Sequence, residues 1–161
     1  MPDSSIDHGT QSLKPEELTK ATQPLTPMSF HISTKDNSSF EPGRRSFFKY
    51  RDTGVTAATN GRIRAQVSTC ISAMDRETGW HYHLCETQLG YVIKGWVDLQ
   101  FEDGTEIRAE AGDVMVIPGG TKHNELRTSD DLEALDISLP ADMGTVPCEM
   151  PDSFTAARKS A

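Results

Sequence analysis

At 161 residues the chain has room for one domain with its own hydrophobic core. Hydrophobic residues make up 35 % of it and the mean hydropathy is −0.51, so part of its length is expected to lie outside any core. Lys and Arg total 16 against 24 Asp and Glu, a net charge of −8, which argues against a nucleic-acid partner. No apolar run approaches the length of a membrane span, so no membrane partner is expected. Met1-Pro2-Asp3-Ser4 does not open a signal peptide. The odd set Cys70, Cys85 and Cys148 fits a reducing cytoplasm better than a disulfide framework.

Residues 1–40 are dense in Ser, Thr and Pro and read as a largely irregular tail, with one or two helical turns at "SLKPEELTK". His8 and His31 fall there and read as solvated. From about Phe40 the texture changes to short strands, and residues 41–141 read as the folded domain. "RRSFFKY" is the first strand. In "RIRAQVSTCISAM" the apolar residues Ile63, Ala65, Val67, Ile71 and Ala73 alternate with polar ones, the period of a half-buried strand. "GYVIKGWVDLQF" gives one strand or two, interrupted at Gly95, and Asp103-Gly104 marks a hairpin turn. "EIRAE", "VMVIP", "HNELRT" and "LEALDISL" complete the series. Many short strands separated by Gly and Asp turns predict an all-β sandwich or barrel. Residues 142–161 read as a loose C-terminal tail.

One constellation carries chemistry. His81 and His83 stand two apart at the start of a strand, so both imidazoles face the same side of the sheet. Imidazole is a common ligand of divalent transition metals. A third histidine, His123, follows the turn Pro118-Gly119-Gly120, and two glycines in a tight turn let it approach the first pair. The amide oxygen of Gln88 is a candidate fourth, weak ligand, with Glu86 as its competitor. Three histidines hydrogen-bonded inside a barrel without any metal would be the plainer arrangement.

These residues resemble the cupins, small jelly-roll barrels built as a double-stranded β-helix. The family's second motif runs Gly, five residues, Pro, one residue, Gly, two residues, His, three residues, Asn. Gly112, Pro118, Gly120 and His123 match it, and Arg127 takes the place of the Asn. The first motif is matched by His81, His83 and Gly95, but Gln88 stands where the family carries Glu, and Gly79 lies too close to the pair to serve as the leading Gly. The resemblance covers about residues 45–140.

The resemblance implies a divalent metal held by His81, His83, His123 and Gln88. A neutral amide in place of a carboxylate leaves the ion its full charge, which favours a bidentate anionic substrate. That pattern is similar to the three-histidine cupin dioxygenases, so iron(II) is the expected metal, with Mn, Ni, Zn and Cu as alternatives. A non-oxidative isomerase, lyase or decarboxylase and a non-catalytic small-molecule-binding cupin are the rival readings. Glu125 and Tyr82 are candidate catalytic groups. Ile63, Ala65, Val67, Trp80 and Tyr91 are expected to line a mostly apolar substrate pocket, and Arg44 or Arg45 to reach an anion. The resemblance further implies a homodimer.

Overall fold

The computed structural model describes residues 27–37, 40–42, 45–74 and 76–160. The helical turns expected at "SLKPEELTK", together with His8 and Arg44, lie outside these. Eleven strands follow one another: β1 (Phe40–Pro42), β2 (Phe48–Asp52), β3 (Arg64–Cys70), β4 (His81–Leu84), β5 (Thr87–Lys94), β6 (Trp96–Phe101), β7 (Glu106–Glu110), β8 (Val114–Pro118), β9 (His123–Thr128), β10 (Glu133–Leu139) and β11 (Gly144–Pro147). A one-turn helix α1 (Val55–Ala58) precedes β3, and α2 (Asp152–Ser160) ends the chain. Among the described residues no helix is long and apolar enough to cross a membrane.

The strands form two antiparallel sheets, in the orders β1-β2-β3-β10-β5-β8 and β11-β4-β9-β6-β7. From β3 onward the chain passes back and forth between the sheets, apart from the β6–β7 hairpin, as the jelly roll expected from the sequence requires. Gly95 marks one crossing. It lies between β5 of one sheet and β6 of the other at φ 72°, and a Cβ there would collide with the Ser129 side chain. Between the sheets sits the core, built on Val92, Val97, Leu99, Ala109, Leu132 and Cys70.

Two sequence expectations are corrected. On β3 the expected inward face, Ala65 and Val67, is buried but points away from the barrel interior. Arg64, Gln66, Ser68 and Cys70 occupy the inner face instead. Both faces of this strand are covered, because α1 packs on β3 and the Thr53 hydroxyl donates to the Ala65 carbonyl at 2.7 Å. Apolar alternation alone therefore does not identify the inner side. The C-terminal segment is also not loose. β11 pairs with β4 over four residues, and Phe154 of α2 packs edge-on against Trp80 at 4.9 Å.

The outer face of the five-stranded sheet is tied by charge. Asp98 of β6 is flanked by its register partners Arg108 on β7 and Arg127 on β9. Arg108 donates to it through Nε at 2.7 Å and a terminal nitrogen at 3.0 Å, and Arg127 donates at 2.7 Å. Arg108 also lies over the Trp96 ring, 3.7 Å from its centroid. The hydrogen bonds from Arg108 lead in holding the Asp98 carboxyl below its ordinary value.

The turn before β9 has a tighter constraint. Gly119 N–H donates to the Glu86 carbonyl and Gly120 N–H to the His83 carbonyl, each at 3.0 Å. A Cβ on Gly119 would collide with the Cys85 carbonyl oxygen. Gly119→Ala is expected to destabilise the fold by about 2 kcal/mol through this overlap, measured by urea denaturation. Asp98→Asn is expected to lower Tm by about 2–4 °C at neutral pH. Because the folded carboxyl sits below its ordinary 3.8, its contribution is present above that pH and lost as pH falls through the lower folded value. The gap between wild type and variant should therefore close on acidification, which thermal scans across the acid range would show.

Candidate metal centre

Strand pairing brings the three histidines together. His81 of β4 and His123 of β9 are register partners, so their side chains meet across the ladder. His83 lies two residues along β4 and shares that face. The ring centroids are 4.4 Å apart for His81–His123 and 5.1 Å for each of the other two pairs. One ligand nitrogen from each ring lies within 4.8 Å of the other two. All three residues are buried, His123 to 1 % exposure.

Their hydrogen bonds set the tautomers. His81 Nδ1 lies 2.8 Å from the Gly79 carbonyl and His123 Nδ1 lies 2.9 Å from the Thr121 carbonyl. A carbonyl only accepts, so each ring donates there and keeps the lone pair of Nε2 free. His83 shares a 3.1 Å hydrogen bond through Nδ1 with the Thr145 hydroxyl, its register partner on β11. Burial, reinforced by the neighbouring His123 and His81 rings, pushes His83 down to about 4. Burial likewise lowers His123. Neutral rings with outward-bound Nδ1 and inward Nε2 are the form in which imidazoles bind a metal, so the residues fit the expected ion.

His81 and His83 open into a cavity of about 190 Å³, and His123 borders an adjoining, more apolar pocket that shares Ser68, Gln88, Glu125 and Asp136 with it. Gln88 lines the first cavity, as do Arg45, Arg64, Gln66, Glu125 and Asp136. The pocket is thus polar, not the apolar one expected. None of Ile63, Ala65, Val67, Trp80 and Tyr91 borders it. Ala65 and Val67 are on the wrong face of β3. Trp80 is buried against Phe154, and Tyr91, 39 % exposed, borders instead the adjoining apolar pocket beneath Val92, Leu99 and Leu132, to which His123, Gln88, Glu125 and Asp136 also contribute. Tyr82 alternates with the two histidines and so points away from them.

Gln88 Oε1 is buried without a hydrogen-bond partner, an oxygen still available to a cation or ligand. Glu86 is exposed in the β4–β5 turn, where its carbonyl receives Gly119. Glu125 stands beside the metal-facing side of His81, with Oε2 3.8 Å from Nε2. Thr78 donates a short hydrogen bond to it. Burial opposes its charge, but His81, His123, Thr78 and Arg45 outweigh that and keep its carboxyl low. Arg45 is itself held to the Thr78 carbonyl at 3.3 Å.

Sequence reasoning missed Asp136. Ser68 donates to it at 2.5 Å, and it takes a further hydrogen bond from Gln88. Desolvation in the cavity is the leading effect on its carboxyl and pushes it up. Its signal was present: an acid flanked by Leu135 and Ile137 in the middle of the strand "LEALDISL".

Comparison with known proteins agrees with this geometry. The sequence profile of the cupin domain family matches residues 70–138. A search of curated proteins finds no match. Among solved structures, the polyketide cyclase RemF from Streptomyces resistomycificus superposes with a TM-score of 0.61 at 15 % identity, covering 80 % of this chain and 93 % of its own. KdgF from a Halomonas species gives 0.57 at 17 % identity, with 70 % and 94 % covered. The nucleoside dehydratase Pac13, from Streptomyces, gives 0.54 at 13 % identity, with 75 % and 94 % covered. At these identities the likeness concerns the fold. With the profile match over residues 70–138 and the histidines in their two motifs, it supports placing the chain in the cupin superfamily.

Proposed function

We propose that this cupin is a metal-dependent enzyme that performs acid–base chemistry on a small organic anion. The observation that carries the reading is the juxtaposition of three clustered imidazoles with two carboxylates, Glu125 and Asp136, which border both the cavity lined by His81 and His83 and the adjoining pocket lined by His123. His81, His83 and His123 would hold a divalent ion, with Gln88 Oε1 as the further oxygen donor. A bound ion would act as a Lewis acid on a substrate oxygen. The chain's own groups supply the rest. Glu125 and Asp136 give two fixed positions at which a proton can be taken or returned. Ser68 and Gln88 orient Asp136, while Thr78 orients Glu125. Arg45 and Arg64 offset the negative charge of a bound anion. A cavity of about 190 Å³ is below the usual range for drug-sized ligands and suits a small substrate. RemF and Pac13, fold neighbours described as a polyketide cyclase and a nucleoside dehydratase, support an enzymatic reading.

A second reading, an iron(II) dioxygenase acting on a bidentate anion, is supported by one feature: a neutral amide at Gln88 beside three neutral imidazoles. The interior carboxylates have no evident part in it.

Metal binding is tested directly. Titration with cobalt(II), followed by calorimetry and the visible spectrum, should give one site per chain. His123→Gln should abolish it. Thr145→Val, which leaves His83 without its hydroxyl partner, should weaken it about tenfold. The reaction class is tested by incubating protein loaded with zinc, nickel or iron(II) with enolisable and hydroxylated carboxylic acids, with and without oxygen. Turnover in the absence of oxygen is expected, with kcat about a hundredfold lower in Asp136→Asn at unchanged metal affinity. Oxygen uptake confined to the iron form would replace this reading with the dioxygenase one.

A further inference from the structure

Among the described residues, four buried side-chain atoms lack a hydrogen-bond partner: Arg64 Nε, Thr69 Oγ1, Gln88 Oε1 and Ser138 Oγ. Three of the four form one line. Ser138 of β10 is the register partner of Arg64 on β3 and of Gln88 on β5. The three residues therefore make a transverse row across adjacent strands, with side chains on the same face. Arg64 and Gln88 line the cavity, and so does Asp136, two residues from Ser138 on the same strand face. Ser138 is 1 % exposed.

Folded proteins seldom leave such groups unsatisfied, least of all side by side. Arg64 adds a second anomaly. Its guanidinium makes no ion pair among the described residues, where its charge reaches Asp136 only at a distance and its hydrogen-bond contact is a weak one to the Met143 sulfur at 4.0 Å. A half-buried guanidinium whose N–H groups are not taken up by a carboxylate gains from an anion that accepts from them.

The order of the row specifies the ligand. Gln88 gives its amide hydrogen bond to Asp136, which leaves Oε1 as an acceptor. Ser138 and Arg64 follow as donors of O–H and N–H. Neighbouring strands lie about 4.8 Å apart, so the three groups address adjacent atoms of one small molecule. A hydroxyl beside a carboxylate has the complementary sequence: an O–H for Gln88, one carboxylate oxygen for Ser138 and the other for Arg64. We propose that the row Gln88–Ser138–Arg64 is a binding site for a 2-hydroxycarboxylate or the enol of a 2-oxocarboxylate. It places the hydroxyl-bearing carbon toward the histidines and the carboxylate toward β3. The proposal names the substrate class of the enzyme inferred above; with a metal bound, Gln88 Oε1 would be shared between the ion and the ligand hydroxyl, while Ser138 and Arg64 address the carboxylate in either form. Phosphate fits less well, because the carboxylates Asp136 and Glu125 face the same space and would repel its second charge.

The test uses the full chain, metal-free and loaded with cobalt(II), and three probes: malate, succinate, which lacks the hydroxyl, and the neutral diamide of malate. Binding is read by calorimetry and thermal shift. Malate should bind in both forms, succinate more weakly, and the diamide not at all. Arg64→Gln and Ser138→Ala should each weaken malate by about ten- to a hundredfold, while cobalt affinity stays within about twofold. Arg64→Lys, which keeps the charge, should recover part of the loss and guards against a folding artefact. Malate affinity unchanged in Arg64→Gln and Ser138→Ala would overturn the proposal, as would equal binding of the diamide, or no binding of malate by either form of the wild type. Malate binding that depends on Arg64 in a protein unable to hold cobalt would instead retain the anion site and remove the metal reading.

Discussion

His123 can face His81 only because the Pro118–Gly120 turn lies directly against the Cys85–Glu86 turn, with no side chain between them. The two N–H groups of Gly119 and Gly120 reach the carbonyls of Glu86 and His83, and a single added methyl at 119 would meet the Cys85 oxygen. This contact fixes the end of β8 against the end of β4. It delivers His123 to the first position of β9, opposite His81. The site therefore rests on a backbone-to-backbone approach more than on any side-chain interaction. That explains why the sequence signature contains glycines as well as ligands.

The same barrel has two chemically different ends, and strand alternation produces both. On the inner face of β3, Arg64, Gln66 and Ser68 give way to Cys70. On β10, Ser138 and Asp136 give way to Ala134 and then Leu132 just before the strand. On β5, Gln88 gives way to Gly90 and Val92. Each strand thus passes from polar to apolar along its length. The three polar stretches lie side by side because the registers pair Ser138 with both Arg64 and Gln88. The apolar end supplies the hydrophobic burial that holds the sheets together. The polar end contributes little to that and is free to hold charge.

Much of this was legible in the sequence. "VMVIP" and "HNELRT" are strands at their expected bounds, Gly95 does divide two strands, and the three motif histidines do converge. What failed did so for tertiary reasons. Ala65 and Val67 alternate as an inward face should, yet α1 covers the outer face of β3, so burial there says nothing about which side is inside. β11 is four residues with no strong pattern, and it becomes a strand only by pairing with β4. α2 is similarly unremarkable until Phe154 meets Trp80. Asp136 is hard to single out because an acid that alternates with apolar residues along a strand looks like a solvent-facing one. Its role follows from Ser68 and Gln88, which come from two other strands.

The neutral amide at Gln88 makes sense in this charge arrangement. The cupin pattern carries a carboxylate at that position, whereas here carboxylates stand at Glu125, beside His81, and at Asp136, beside Gln88. A third acid at 88 would share a small space with both and would repel Asp136 directly, where the amide instead donates a hydrogen bond to it. The substitution thus moves negative charge off the metal-ligating position and keeps it nearby, on groups positioned by Thr78 and Ser68. An ion held by the imidazoles would retain more of its charge, and the two acids would remain uncoordinated. Lewis acidity and proton transfer are then assigned to separate residues of one cavity, an arrangement that a Glu at 88 would compromise on both counts.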